Sequence, residues 1–384
     1  MIFPMSVKRL KRYLSSPVTA DLQRKMVLIG GPRQVGKTTL ALSILGAKTA
    51  RHPGYLNWDD PTVRPRLLRG QLPGNESIIV LDEIHKHPRW RNLVKGFHDT
   101  VGDQISFLIT GSARLDYYRK GGDSLQGRYH YYRLHPFSLR EMNKKPTRSD
   151  VELLMKFGGF PEPLLSANTR VWRRWQRERL SRVVYEDLRD LENVREIGLV
   201  ELLVEALPDR VGSPLSIKSL REDLNVAHET VERWVSILEN MYVCFRIPPY
   251  GARKIRAVKK EKKLYLWDWS QVSDSGARFE NLVACQLLKY CHFLEDTEGY
   301  AMELRFIRDT DKREVDFVVI RDKKPLFAVE CKSGEKEVSA ALKYYKERTN
   351  IPEFYQVHLG TKDYRSPHAR VLPFKTFSEE LELP

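Results

Sequence analysis

Eight residues near the amino end carry the most specific chemistry of the chain. Gly31-Pro32-Arg33-Gln34-Val35-Gly36-Lys37-Thr38 fits G-x-x-x-x-G-K-[ST], the pattern of a phosphate-binding loop. Its glycines let backbone N–H groups wrap phosphate oxygens, and the helix start behind it favours negative charge. Lys37 is placed to reach the β- and γ-phosphates of ATP, and the Thr38 hydroxyl to hold Mg²⁺. Two acids follow an apolar run at Ser77-Ile-Ile-Val-Leu-Asp82-Glu83. Asp82 is expected to orient the hydration shell of Mg²⁺, and Glu83 to polarise the attacking water as general base. Thr110 and Ser112, after a third apolar run, are candidates for a polar sensor of the γ-phosphate, although Gly111-Ser112 is also a turn signal. Arg128 is the first candidate for an arginine supplied across a subunit interface, with Arg114 and Arg133 behind it.

A second constellation lies at residues 304–332. Leu304–Arg308, Arg313–Ile320 and Leu326–Lys332 read as three strands joined by turns. Alternation puts Glu330 and Lys332 on one face and Val329 and Cys331 on the other, with Asp316 on the neighbouring strand. An acid followed by Glu-x-Lys on the next strand resembles the PD-(D/E)XK nuclease core. The resemblance implies a divalent metal held by Asp316 and Glu330 through hard oxygen ligands. It implies a charge-stabilising role for Lys332. It also implies a further metal-associated acid at Glu280, on a helix read over 276–288. Charged residues punctuate ordinary edge strands too, and such a site can bind without cutting.

These side chains need particular elements behind them. Lys25–Gly30 reads as a short buried strand and Thr38–Leu45 as a helix start. The runs before Asp82 and Gly111 read as parallel strands buried on both faces, which release their carboxyl ends toward a ligand. Residues 151–200 read as helical. Within them, Arg170–Arg182 is densely basic with two tryptophans. It reads either as a phosphate contact or as a helix with an apolar stripe of Val171, Trp175 and Leu180 and a solvated basic face.

Residues 213–263 read as helix, turn, helix and basic hairpin, a winged helix-turn-helix. Arg253, Lys254, Arg256, Lys259, Lys260, Lys262 and Lys263 are expected to line a phosphate backbone. His228, Glu229, Glu232 and Arg233 are expected on the exposed side of the second helix. Acids there fit a major groove poorly, so backbone or junction binding is favoured over operator reading. A protein-binding winged helix is the alternative.

Composition sets the remaining bounds. A chain of 384 residues predicts about two or three domains. No run of roughly eighteen apolar residues predicts a membrane span, and Met1-Ile-Phe-Pro-Met-Ser carries no signal-peptide pattern. Cys244, Cys285, Cys291 and Cys331 are scattered, which argues against structural zinc and for a reducing cytoplasm. A formal net charge of +15 and a pI near 9.5 suit a polyanionic partner, most simply nucleic acid, or else a well-solvated basic surface.

A family resemblance rests on several runs in order: Gly31 to Thr39, Leu81-Asp-Glu-Ile84, Thr110-Gly-Ser-Ala-Arg114, Leu125-Gln-Gly-Arg128, Arg133-Leu-His-Pro-Phe-Ser138 and Gly158-Gly-Phe-Pro161. The chain resembles prokaryotic AAA-type ATPases whose C-terminal domain is similar to PD-(D/E)XK nucleases. This implies an AAA+ core with a helical lid after residue 150, and nucleotide at the interfaces of a homo-oligomer, expected to be a hexamer. It also extends the nucleotide contacts to Thr39 and Ser112.

The expected α/β architecture is an AAA+ core at 1–150, a helical lid at 151–200, a winged helix at 201–265 and a nuclease-like domain at 266–384. The leading expectation is an Mg²⁺-dependent ATPase acting on DNA, with branched or Holliday-junction DNA as the favoured form. The alternatives are a nucleotide-gated switch binding a protein or operator, and an ATP-regulated metal-dependent DNA nuclease.

Overall fold

Three apolar runs and two shorter or more polar segments become one parallel sheet. The computed structural model describes residues 10–111, 125, 127–182, 196–251 and 261–384. Strands β1 (Met26–Gly30), β2 (Tyr55–Asn57), β3 (Ile78–Asp82), β4 (Ser106–Thr110) and β5 (Tyr129–Arg133) lie in the order β2-β3-β4-β1-β5. Every pairing is parallel. All five residues of β1 are buried, because helices cover both faces. On one face α1 (Ser15–Asp21) and α2 (Lys37–Ile44) pack Val18, Leu40 and Ala41 against Val27, Ile29 and Leu108. On the other, α3 (Val63–Leu68) and α4 (Trp90–Val101) pack Leu67, Val94 and Phe97 against Leu28, Leu81 and Phe107. Because β4 runs between β1 and β3, Thr110 pairs with Ile29 on one side and Asp82 on the other.

Helices then dominate. They are α5 (Leu139–Met142), α6 (Arg148–Phe157), α7 (Pro161–Ser166), α8 (Thr169–Arg182) and α9 (Ile197–Ala206). A pair follows, α10 (Ile217–Leu224) and α11 (His228–Asn240). Ser216 caps the start of α10, and Asn225 takes a left-handed turn at its end. Val231, Trp234, Val235 and Leu238 form the buried stripe of α11, as their spacing predicts. Strands β6 (Cys244–Ile247) and β7 (Lys263–Leu266) make an antiparallel hairpin.

Two expectations about this region change. Lys263 is fully buried and cannot line a phosphate backbone. Glu232 is not simply solvated: with Glu239 it grips Arg246 of β6, at 2.9 and 2.8 Å. His228, Glu229 and Arg233 are exposed as expected, and so is Lys262. Arg253, Lys254, Arg256, Lys259 and Lys260 lie outside the described residues.

The C-terminal part is built on α12 (Ser275–Glu298) and on strands β8 (Met302–Arg308), β9 (Glu314–Arg321), β10 (Lys324–Lys332), β11 (Glu353–His358), β12 (Tyr364–Arg365) and β13 (Arg370–Pro373). The order β12-β13-β11-β10-β9-β8 mixes parallel and antiparallel pairs. Helices α13 (Ala340–Arg348) and α14 (Phe374–Glu380) complete it. One apolar cluster runs from Leu154 and Trp234 through Trp267 and Val283 to Phe317 and Phe377, so the helical middle and this sheet share a core.

The long helix α12 also reaches the first sheet. Arg133, at the end of β5, meets Asp296 at 2.6 Å and Glu295 at 2.5 Å. His135 Nε2 lies 2.8 Å from His292 Nδ1. Lys289 pairs with Glu141 of α5, and Arg12 meets the other oxygen of Glu141 at 2.8 Å. All three members of this last group are buried. Burial pushes the Glu141 carboxyl up, but the charges of Arg12 and Lys289 more than offset it and hold it at about 2.

Removing one member of a buried ion group leaves the others uncompensated, at a cost of about 3–5 kcal/mol. Glu141→Gln is therefore expected to lower stability by about that amount in urea unfolding, with a milder loss when Arg12, Glu141 and Lys289 all become apolar. The contribution of Glu141 is present above its unfolded pKa and is lost as pH falls through that value toward about 2. The gap between wild type and Glu141→Gln should therefore narrow with acidification. A Glu141→Gln protein as stable as wild type at neutral pH would contradict the assignment.

Candidate functional site

The loop after β1 takes its shape from three residues of positive φ. Gly31 sits at 141°, Gln34 at 61° and Gly36 at 100°. A Cβ on Gly31 would lie 2.4 Å from the Leu134 carbonyl oxygen, so the loop threads where only glycine fits. Gly36 forms the N-cap of α2 and offers no side chain to the first N–H groups of the helix, which stay available to an anion. Lys37 is buried, and its Nζ donates to the Gly31 and Pro32 carbonyls at 2.9 and 2.7 Å. Arg12 grips the loop from outside: Nη1 donates to the Val35 carbonyl at 2.8 Å, and Nη2 to that of His135. The group that ties α12 to Glu141 thus also fixes the phosphate loop.

Asp82 is buried at the end of β3 and gathers three hydroxyls. Thr38 Oγ1 donates at 2.8 Å and Tyr55 O–H at 2.5 Å to one oxygen; Thr110 Oγ1 donates at 2.5 Å to the other. Burial and the Asp82 charge push the Tyr55 phenol well up, which keeps it a donor. Thr38 and Asp82 therefore meet as hard oxygen donors at the mouth of the loop. Thr38 and Thr39 are exposed, and Gln34 Oε1 is buried without a hydrogen-bond partner. These features fit a triphosphate with Mg²⁺. The loop N–H groups and Lys37 would hold the phosphates, Thr38 and Asp82 the Mg²⁺ side. The bound ion would neutralise phosphate charge. Glu83 adopts a left-handed backbone at φ 57°, and its carboxylate lies 3.3 Å from Lys86 and 3.6 Å from His85.

The arginine candidates separate. Arg128 is partly exposed, with Asp99 at 3.2 Å. Arg133 is closed into the Glu295 and Asp296 pair and is no free finger. Ser112 and Arg114 lie outside the described residues. The sequence did not single out Arg12, Tyr55 or Lys289. Glu141 could have been noticed, because Ser138-x-x-Glu141 is a capping box, and both of its reciprocal bonds are present.

The structure does bring Glu280, Asp316, Glu330 and Lys332 to one region, but it places Lys263 in their midst. Lys263 Nζ lies 3.1 Å from Glu280 and 3.2 Å from Asp316, and it also pairs with Glu314. Tyr265 O–H donates to Glu280 at 2.7 Å, and the Cys331 N–H to the other oxygen of Asp316 at 2.9 Å. Lys332 Nζ meets Glu330 at 2.6 Å. Burial, then the Asp316 charge, pushes both the Glu280 and Glu330 carboxyls up. Among the described residues, no three acidic, imidazole or thiol side chains converge as a metal site. The ammonium of Lys263 thus stands between Glu280 and Asp316, while Glu330 pairs with Lys332.

Comparison with known families agrees with the first sheet and its loop, and residues 23–143 match a family described as an AAA domain. This part of the chain is an AAA-type P-loop ATPase domain. Residues 148–273 and 275–377 match two domains of unknown function, DUF8612 and DUF4143. An uncharacterized protein of Methanocaldococcus jannaschii is 24% identical over 377 residues, covering 89% of this chain and 83% of its own. One of Haemophilus influenzae is 22% identical over 327 residues, covering 76% and 78%. Among solved structures, the RuvB Holliday junction branch migration motor of Thermotoga maritima aligns at 17% identity and a TM-score of 0.31, covering 64% of this chain and 90% of that one.

Around the AAA domain's loop, Asp82 is the group on which Thr38, Tyr55 and Thr110 converge. Asp82→Asn is expected to weaken Mg²⁺-dependent nucleotide binding by about 10–100-fold, the range for a residue that orients metal ligands. Tyr55→Phe should lie between that variant and wild type. Equal Mg²⁺ titrations for all three proteins would contradict this role.

Proposed function

We propose that the chain is an Mg²⁺-dependent ATPase that acts on DNA, with turnover at Gly31–Thr39 and Asp82. The observation that carries the ATPase reading is the 2.8 Å bond from Thr38 to Asp82 at the mouth of a glycine-shaped loop. Within this reading Lys37 leaves its loop carbonyls for the phosphates. Glu83 turns from Lys86 to activate water, Thr110 senses the state of the site through Asp82, and Arg128 serves a neighbouring copy in a homo-oligomer.

The DNA part of the reading is supported by charge and its placement. On α8, Arg170, Arg173, Arg174 and Arg177 are exposed at helical spacing, while Trp175 and Arg179 are buried. Arg179 stacks 4.3 Å over Phe160 and donates to the Tyr242 carbonyl at 3.2 Å. The helix thus keeps an arginine row in water, anchored from behind. Such a row, on a chain of net charge +15, suits a phosphate backbone more than base edges. The hairpin after α10 and α11 supports the winged-helix reading, with Lys262 as the described member of its basic wing. The nuclease alternative finds less support, because Lys263 fills the carboxylate cluster.

ATP turnover measured with single-stranded, duplex and junction DNA tests both halves. Turnover is expected to rise with DNA and to vanish in Lys37→Ala; Glu83→Gln should retain nucleotide but lose about 10²–10⁴-fold in rate. Arg173→Ala with Arg177→Ala should weaken DNA binding on all sequences and flatten its salt dependence by about two phosphate contacts. Turnover unchanged in Lys37→Ala would sink the ATPase reading; a salt slope untouched by the arginine pair would remove α8 from the DNA surface.

A further inference from the structure

The strand β7 begins with a residue that physical chemistry would normally keep in water. Lys263 has no exposed surface, and a buried ammonium needs carboxylates around it. Its three donors meet Glu280, Glu314 and Asp316, from α12 and β9. The oxygen of Asp316 that faces away from Lys263 accepts the Cys331 N–H, and the oxygen of Glu280 nearest Lys263 also accepts from Tyr265. Glu314 is further held by Arg308 at 3.2 Å, and Glu330 by Lys332. Each acid of the cluster therefore already has a cation from this chain.

We infer that Lys263 is the resident cation of the C-terminal carboxylate cluster and takes the place that a divalent metal occupies in the nuclease core this region resembles. The domain then works without a metal of its own. Its acids serve to seat the β6–β7 hairpin on the C-terminal sheet, through a lysine that follows the basic segment 252–260 in sequence. The ammonium already balances the charge of Glu280, Glu314 and Asp316 and repels a second cation, so the lysine competes with a divalent ion for this cluster, where only Glu330 Oε2 is buried without a hydrogen-bond partner. The inference goes beyond the ATPase reading and does not depend on it.

The test uses the full chain without nucleotide, dialysed against Mn²⁺, with bound Mn²⁺ counted by electron paramagnetic resonance. Wild type, Asp316→Asn and Glu280→Gln are expected to hold the same amount of Mn²⁺. One additional Mn²⁺ per chain in wild type, lost in either variant, overturns the inference. The two variants report independently, so one that fails to fold leaves the other to decide. In EDTA, Lys263→Met is expected to lower the unfolding midpoint by several degrees, and an unchanged midpoint would also overturn it. None of these readings involves ATP, so their failure would leave the ATPase proposal standing.

Discussion

A single buried carboxylate, Glu141, joins the parts of this molecule. It accepts from Arg12, which grips the phosphate loop at the Val35 carbonyl, and from Lys289 of the long helix α12. It also closes the capping box that starts α5. A charge removed from water is costly, and it persists only where its partners are fixed around it. Here the partners come from the N-terminal segment, from the residues after β5 and from the C-terminal part. Through Arg12 and Glu141 the phosphate loop is thus linked to the docking of α12. Arg133 with Asp296, and His135 with His292, repeat the same docking along one face of α12.

The active end of the AAA domain was largely legible in the sequence. A glycine pattern specifies backbone geometry, and an apolar run ending in acids specifies a buried strand that delivers them. Lys37, Thr38, Asp82 and Thr110 meet for those reasons. Tyr55 was not legible, because a tyrosine on a three-residue strand carries no spacing signal. Nor was Arg12, one basic residue in a run of basic residues. Their roles arise from contacts across 27 and 23 positions of sequence, which a local pattern cannot carry.

Lys263 shows the opposite failure. It sits at the end of a run of lysines and arginines, and a charge run reads as a solvated face. Both faces of β7 are covered, so all four of its residues, Lys263 included, are buried. Glu314, Asp316 and Glu280, from β9 and α12, then make that buried position tolerable. The spacing of Asp316, Glu330 and Lys332 identified residues that do cluster, but it could not reveal Lys263, a participant from another part of the chain. Chemistry inferred from acids alone overlooked the cation that the fold supplies for them.

The account rests on the loop at residues 31–38 as a triphosphate site with Asp82 beside it. Calorimetric titration of the full chain with a non-hydrolysable ATP analogue and Mg²⁺ tests this most directly. The account predicts saturable binding near one nucleotide per chain that depends on Mg²⁺ and is lost when Lys37 is replaced by alanine. Absence of saturable heat from the wild-type chain, or equal binding by the variant, would contradict it.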